Sequence, residues 1–471
     1  MASPFSSDGS AAAAADIKLT PESFRPLEAA EDTQSITRPS LSYWQDAWRR
    51  LKENNRAIVS LYIIIALLAF TLLGPFFWTA DSSVSDVDQI SQPPFANRSA
   101  TIVAPFKSWD IAAEPASTDG LQIVGTPTTQ SVRLSWEAMP SSTNGYRIYR
   151  NLFPTGVERA LGLPLSEVFP SQGTYFEDRL DLQPTHYYYT VVALGENFRE
   201  TTEFQHTEID VTRVITADEA FEKGLVESAD GLEPGTAINL TWHPLGTDYL
   251  GRDMLARLME GARVSLFIGI VAPFIFVLIG IIYGSTAGFV GRGVDEVMMR
   301  FADFVVALPF LLFMIVFKIV FDVESGESGI IPMLIAMVVL LWPATARLVR
   351  GQILQIREEG YTDASRLLGA KSSYLIGRHM IPNTMGVILV TLTFAVPSAI
   401  FTEAFLSFIG MGVAPPTPSW GSMCNEGLKT MQITPHELIF PALLISITVL
   451  AFNMLGDGLR DALDARMRSR E

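Results

Sequence analysis

One cysteine, Cys424, serves 471 residues, which excludes an intrachain disulfide and leaves any outer domain to stand on its own core. A phosphate loop is also missing. Gly369-Ala370-Lys371-Ser372 lacks the upstream glycine that such a loop needs, so the chain is not expected to bind ATP itself. The five histidines, His186, His206, His243, His379 and His436, fall on separate stretches with no His-Glu-x-x-His or Cys-His grouping, which argues against a metal site, and no cofactor is expected. No Gly-x-Ser-x-Gly elbow occurs. Basic residues are scarce, 34 against 50 acidic, for a net charge of −16, and they do not cluster as nucleic acid would require.

Apolar residues, by contrast, are abundant: 48% of the chain, with a mean hydropathy of +0.27. Six runs have about the 20 residues needed to cross hydrocarbon as helix: 57–78, 264–290, 304–321, 330–346, 384–409 and 438–455. The first ends in Gly74-Pro75-Phe76-Phe77-Trp78 without a small-residue cleavage pattern and reads as a retained span. Arg49, Arg50, Lys52 and Arg56 precede it. Further basic residues lie between spans two and three (Arg292, Arg300), between spans four and five (347–378) and in the tail (Arg460, Arg466, Arg468, Arg470). Cytoplasmic loops accumulate Lys and Arg, so both termini are expected inside a cytoplasmic membrane. Arg252, Arg257 and Arg263 break that rule on the outer side.

Residues 79–240 hold 23 acidic and 10 basic residues, a net charge of −13, and form the expected extracytoplasmic insertion. Within 120–214, short runs alternate at period two between turn residues, as strands do: Val132-Arg133-Leu134-Ser135-Trp136, Gly145-Tyr146-Arg147-Ile148-Tyr149-Arg150 and Tyr187-Tyr188-Tyr189-Thr190-Val191-Val192. About 95 residues make one immunoglobulin-like sandwich. The run resembles a fibronectin type III domain, with Trp136 as its core tryptophan. The flanking 81–119 and 217–235, rich in Ser, Pro, Gly and acid, read as tethers.

Four motifs outside the insertion point one way. His243-Pro244-Leu245-Gly246-Thr247-Asp248-Tyr249-Leu250-Gly251-Arg252-Asp253 precedes span two. Asp363-Ala364-Ser365, Gly369 and His379-Met380-Ile381-Pro382 follow span four. Glu403-Ala404-Phe405-Leu406-Ser407-Phe408-Ile409-Gly410-Met411-Gly412 leads to Pro415-Pro416-Thr417-Pro418-Ser419-Trp420. Arg300-Phe301-Ala302-Asp303 stands ahead of Ala307-Leu308-Pro309. Together they resemble the C-type permease subunits of dipeptide, oligopeptide and nickel ABC importers. That resemblance implies a mainly α membrane protein of six transmembrane helices, here with an inserted all-β sandwich. The implied boundaries are a cytoplasmic tail 1–56, a first span 57–78, the insertion 79–240, a permease core 241–459 and a cytoplasmic tail 460–471.

The resemblance also implies a transporter subunit rather than an enzyme: a pathway for peptides or related small solutes delivered by a solute-binding protein. Its partners would be a second permease subunit, two ATPase subunits that hydrolyse ATP, and membrane lipid. Tyr361, Asp363, Ala364, Ser365, Arg366, Leu368, Gly369 and Ala370 would form the coupling helix that docks on an ATPase. Tyr361, Ala364, Leu367 and Leu368 recur at helical spacing and Gly369 lets the helix stop. Asp363, Ser365 and Gly360 depart from the family pattern of Glu, Ala and an acid, which puts local contacts in doubt. Gly280, Gly284 and Gly288 bare one face of span two for close packing. Glu403, an acid within a span, reads either as functional or as paired to a hydroxyl or backbone group; its presence across family members of different substrates favours pairing. A receptor would not need six spans, and a secondary transporter would show coupling-ion acids or broken helices.

Overall fold

Asn54 interrupts the first helical stretch. Its extended backbone (ψ 96°) ends α1 (Tyr43–Glu53), and its side chain accepts from Arg56 N and Ala57 N to start α2 (Asn55–Phe77). The computed structural model describes residues 43–109, 117, 119–154, 161–321 and 329–463. Residues 1–42 of the N-terminal tail, the loop 322–328, and Arg466, Arg468 and Arg470 lie outside the described residues.

After α2 come β1 (Ser99–Val103), β2 (Gln122–Ile123), β3 (Val132–Ser135), β4 (Gly145–Asn151), β5 (Ser166–Val168), β6 (Tyr175–Asp178), β7 (His186–Leu194), β8 (Glu200–Asp210), β9 (Val214–Thr216), α3 (Ala217–Glu222) and β10 (Ala237–Asn239). The helical part follows: α4 (Met254–Val290), α5 (Arg292–Val306), α6 (Phe310–Val320), α7 (Ile330–Arg357), α8 (Gly360–Leu367) and α9 (Ser372–Tyr374). A π-helical turn (Leu375–Met380) then leads into α10 (Ile381–Phe408), before α11 (Trp420–Thr430) and α12 (His436–Leu463).

Five helical stretches are long and apolar enough to cross a membrane: α2, α4, Ser372–Phe408, α7 and α12. The expected third span, 304–321, is not one helix. It belongs to α5 and α6, which meet at 81° and make a sixth crossing only if the bent pair is counted as one. Pro309 is the cause, because a proline bars its predecessor from helical backbone and supplies no N–H. Span two also starts earlier than the apolar run, at Met254, because Asp253 caps Ala256 N at 2.6 Å.

In the insertion, β2-β3-β6 form one sheet and β5-β4-β7-β8 another. Between them lies an apolar core that includes Val132, Leu134, Trp136, Ile148, Tyr189 and Val191. Trp136 is wholly buried, edge-on to Tyr146 at 5.3 Å. The buried Asp178 carboxylate accepts from Tyr189 Oη at 2.5 Å, Arg150 Nη1 at 2.9 Å and Leu180 N at 3.0 Å, so the core carries no unpaired charge there.

Described parts of the expected tethers are built into the fold. β1 pairs antiparallel with β10 and parallel with β9, making a second small sheet. Ala100, Ile102, Ile215, Ala220 and Leu240 form its core, and α3 is closed by a Thr216–Glu219 capping box. The polar composition of these stretches is real, but alternate residues of β1 still turn two apolar side chains inward, enough for a small core.

Candidate functional site

Two regions gather the residues singled out by sequence. The first is a junction at one end of the helices, where the stretch before α4 crosses the stretch after α2. Gly246 (φ +78°) and Gly251 (φ +77°) are required there: a Cβ would stand 2.1 Å from Gln92 O and 1.9 Å from Asp86 O. Thr247 N donates to Gln92 O at 3.1 Å and Gln92 N to Thr247 Oγ1 at 2.8 Å, while Ser91 N donates to Asp248 O at 2.8 Å. The whole of 95–240 therefore leaves and rejoins the helical part at one place.

One buried cluster inside this junction is balanced in charge. Asp248, Arg252 and Arg257 are buried. Asp248 Oδ2 accepts from Arg252 Nε at 2.7 Å and from Arg257 Nη1, and Glu426 Oε2 accepts from Arg257 Nη1 at 2.8 Å and Arg252 Nη2 at 3.3 Å. Two arginines thus face two carboxylates, which accounts for basic residues on the side where cytoplasmic-type charge is not expected. Asp253 caps α4 and also accepts from Trp78 Nε1 at 3.0 Å and His243 Nδ1 at 2.7 Å. Gln89 Nε2 stands 3.3 Å from His243 Nε2, the ring nitrogen on the side away from Asp253.

Glu403 lies fully buried beside this junction. Ser265 Oγ donates to its Oε2 at 2.7 Å and Ser407 Oγ to its Oε1 at 2.8 Å. The same hydroxyls accept from Trp420 N at 3.2 Å and Val413 N at 3.1 Å, so one carboxylate ties α4, α10 and α11 together. Sequence reasoning missed Gln89, Gln92, Glu426 and Glu437; Ser91 Oγ and Thr430 Oγ1 donate to Glu437 at 2.8 and 3.0 Å. Only Glu437, just ahead of the 438–455 apolar run, carried a local signal.

The second region is at the opposite end of the helices. Gly369 (φ +85°) follows α8; its N–H donates to Arg366 O at 2.9 Å and Ala370 N to Ser365 O at 3.1 Å, a Schellman closure. Thr362 is buried, its Oγ1 on Ile356 O at 3.0 Å, and Ser365 Oγ donates to Tyr361 O at 2.9 Å. Asn383 Nδ2 donates to Tyr361 Oη at 3.0 Å, and Arg366 lies 5.0 Å from the Phe289 ring at the end of α4. Asp363 faces Arg366 at 3.6 Å. Ala364 and Asp363 point away from the bundle, and Leu367 and Leu368, at the tip, are each 89% exposed.

Between the two regions Gly280, Gly284 and Gly288 form the face of α4 that packs against α7. A Cβ there would come within 2.6 Å of Thr345 Cβ, 2.2 Å of Ala346 O and 2.9 Å of Arg350 O. Arg350 then holds Asp295 of α5 through two bonds of 2.5 Å. Contacts therefore run without a gap from α8 to α4, α5, α7 and α10. Among the described residues no group of three metal-ligating side chains converges.

Residues 277–469 match the family described as the binding-protein-dependent transport system inner membrane component, and residues 42–94 match the N-terminal TM domain of oligopeptide transport permease C. The oligopeptide transport system permease protein OppC of Bacillus subtilis is 50% identical over 226 residues, covering 48% of this chain and 72% of that protein. The dipeptide permease protein DppC of the same organism is 46% identical, covering 48% and 69%. The glutathione transport system permease protein GsiD of Escherichia coli is 41% identical, covering 51% and 76%. Among solved structures, an inward facing conformation of the MetNI methionine ABC transporter aligns with a TM-score of 0.37 at 17% identity, over 45% of this chain and 98% of that one.

Proposed function

The chain belongs to the binding-protein-dependent transport inner membrane components of the oligopeptide and dipeptide permease type, and from that premise we propose that it forms half of a membrane pathway for peptides or related small solutes. It is a permease subunit and not an enzyme; ATP hydrolysis belongs to separate subunits. A second permease chain would complete the pathway, two ATPases would power it, and an extracytoplasmic solute-binding protein would deliver the solute.

The observation that carries the coupling role is the exposed Leu367–Leu368 pair within the Schellman turn that closes α8. Two leucines held almost wholly in water by a rigid turn offer an apolar knob to a groove on a soluble partner. Arg366 against Phe289 and Asn383 against Tyr361 would pass movement of that knob to α4 and α10. Glu403, with its carboxylate fully engaged by hydroxyls, serves as a structural tie rather than a solute ligand. The test is to purify the complex carrying Leu367→Ser and Leu368→Ser. Expected are intact permease pairing and an ATPase association weakened by at least about tenfold, roughly 1.4 kcal/mol. Wild-type uptake and ATPase retention would refute the docking role.

We place 1–56 and 460–471 in the cytoplasm, 79–240 outside the cytoplasmic membrane, and the permease core at 241–459. Support comes from Leu51, Ala57 and Ala462 packing together, which puts the described ends of the chain on one side. Residues 120–214 read as a fibronectin-III-like sandwich. Seven strands in sheets of three and four, the buried Trp136, and Tyr187 Oη accepting from Gln183 N at 3.0 Å, in the manner of a tyrosine corner, support that reading.

A further inference from the structure

The helix α1 precedes the first long apolar helix and is amphipathic along a stripe in which Trp44, Trp48 and Leu51 recur at i, i+4 and i+7. Part of that stripe is buried against the chain. Leu51 and Ala47 are buried, with Leu51 against Ala57 and Ala462. This corner is held tightly: a Cβ at Gly458 of α12 would meet Ala57 Cβ at 2.3 Å and Asn54 Nδ2 at 3.5 Å. Trp44 and Trp48 remain 50% and 49% exposed on the same stripe.

The charges beside them are asymmetric. Arg49 pairs with Glu53 at 3.2 Å and Arg50 with Asp46 at 3.3 Å. Lys52 and Arg56 are exposed and meet no carboxylate among the described residues; Lys52 Nζ sits 5.3 Å from the Trp48 ring. A tryptophan pair with a cation just beyond it is the chemistry of a membrane boundary: the indoles sit at headgroup depth and the cation reaches phosphate.

We propose that α1 is an interfacial anchor that binds anionic phospholipid, with Trp44 and Trp48 seated between headgroups and acyl chains and Lys52 and Arg56 holding headgroup phosphate. Helix α1 is braced by α2 and α12, so the lipid stabilises the corner from which both helices leave the membrane. The occupant is lipid rather than protein because the exposed indoles lie next to the start of a membrane-crossing helix, where the apolar surface is continuous with the bilayer, and because the excess charge is positive. The inference does not depend on which solute is carried or on which leaflet α1 occupies.

The complete complex would be placed in nanodiscs of phosphatidylcholine alone or mixed with phosphatidylglycerol. Native mass spectrometry would count retained phosphatidylglycerol, and lipids brominated near the headgroup would report indole depth by fluorescence quenching. Each cation near an anionic surface contributes about a fivefold preference, so Lys52→Gln with Arg56→Gln should lower phosphatidylglycerol enrichment by roughly thirtyfold while quenching persists. Trp44→Phe with Trp48→Phe should remove the shallow-quenched component and keep the complex assembled. Equal lipid retention by wild type and the glutamine variant, or equal quenching with and without the two indoles, would overturn the proposal. So would loss of a protein subunit from the phenylalanine variant with lipid retention unchanged, which would make the face a protein interface.

Discussion

Arg257 and Glu426 stand 169 residues apart in sequence and 2.8 Å apart in space, with the arginine almost wholly buried and its same Nη1 also on Asp248. The pair joins the first turn of α4 to α11, and through Asp248 to the stretch that closes the base of the insertion. Breaking a buried pair from one side leaves uncompensated charge, typically at a cost of 3–5 kcal/mol. Arg257→Met should accordingly lower the melting temperature of the purified chain sharply, and adding Glu426→Gln, which leaves Asp248 paired with Arg252 at 2.7 Å, should recover much of the loss. An unchanged melting temperature in the single variant would remove the junction from the stability of the fold.

The glycine seam makes a sharper steric demand. At Gly284 a Cβ would lie 2.2 Å from Ala346 O, a backbone atom that cannot swing aside, whereas at Gly351 on α7 nothing stands within 4 Å. Gly284→Ala should therefore force α4 and α7 apart and reduce folded yield. Gly351→Ala should be neutral or slightly stabilising, since alanine favours helix by about 1 kcal/mol over glycine. Size-exclusion profiles and thermal unfolding of the two variants check the contrast, and equal behaviour would show that the seam is not tight.

Much of this arrangement was legible before any coordinates. The apolar runs located the crossing helices because hydrocarbon thickness sets their length, and Gly369 marked the end of α8 because a left-handed terminus selects glycine. The break at Pro309 was also written in the chain, yet a run of apolar residues on both sides hid it. What escaped was non-local. Arg252 and Arg257 stood out as misplaced cations, but Glu426 lies in a different helix and nothing local names it as their partner. The stretches read as tethers fold only because β1 meets β9 and β10 more than a hundred residues later.

Trp136 supports a prediction about the sandwich alone. It is wholly buried at the centre of the core, and truncating such a side chain costs roughly 3–5 kcal/mol, a large share of the 5–15 kcal/mol that holds a typical domain. A 119–214 fragment should give a β-type circular dichroism spectrum and a cooperative melt, and Trp136→Ala should abolish the melt. Absence of β structure in the unaltered fragment would show that the sandwich depends on its junction with the helices.

Lys223 of the insertion reaches Asp86 at 2.6 Å and also touches Asp88, close to the base of the domain. Burial disfavours the Asp86 carboxylate, but hydrogen bonds from Lys223 and Gln89 outweigh it and hold its pKa below the usual carboxylate range. A depressed acid stabilises the fold above its unfolded pKa and loses that contribution as pH falls through the folded value. Asp86→Asn should therefore loosen the 216–223 segment at neutral pH, and the difference from wild type should shrink as pH falls below the ordinary Asp value near 3.9 and vanish below the folded value. Hydrogen-exchange protection of those amides, corrected for intrinsic rate, is the measurement; a difference between variant and wild type that persists in acid would contradict the assignment.

The orientation can be tested with single cysteines. The junction gathers one set of helix ends with the acidic insertion, while Leu51, Ala57 and Ala462 gather the described ends of the chain on the other side. A segment carrying a net charge of −13 cannot lie within hydrocarbon, and in the orientation proposed above Arg49, Arg50, Lys52 and Arg56 would hold the opposite ends inside. In a Cys424→Ser background, Ser85→Cys at an exposed site beside the insertion should react with a membrane-impermeant maleimide in intact cells. Ser372→Cys, exposed just past α8, should react only after permeabilisation. Labelling at position 372 in intact cells would invert the chain across the membrane, and the exposed leucines of α8 would then face away from any cytoplasmic ATPase.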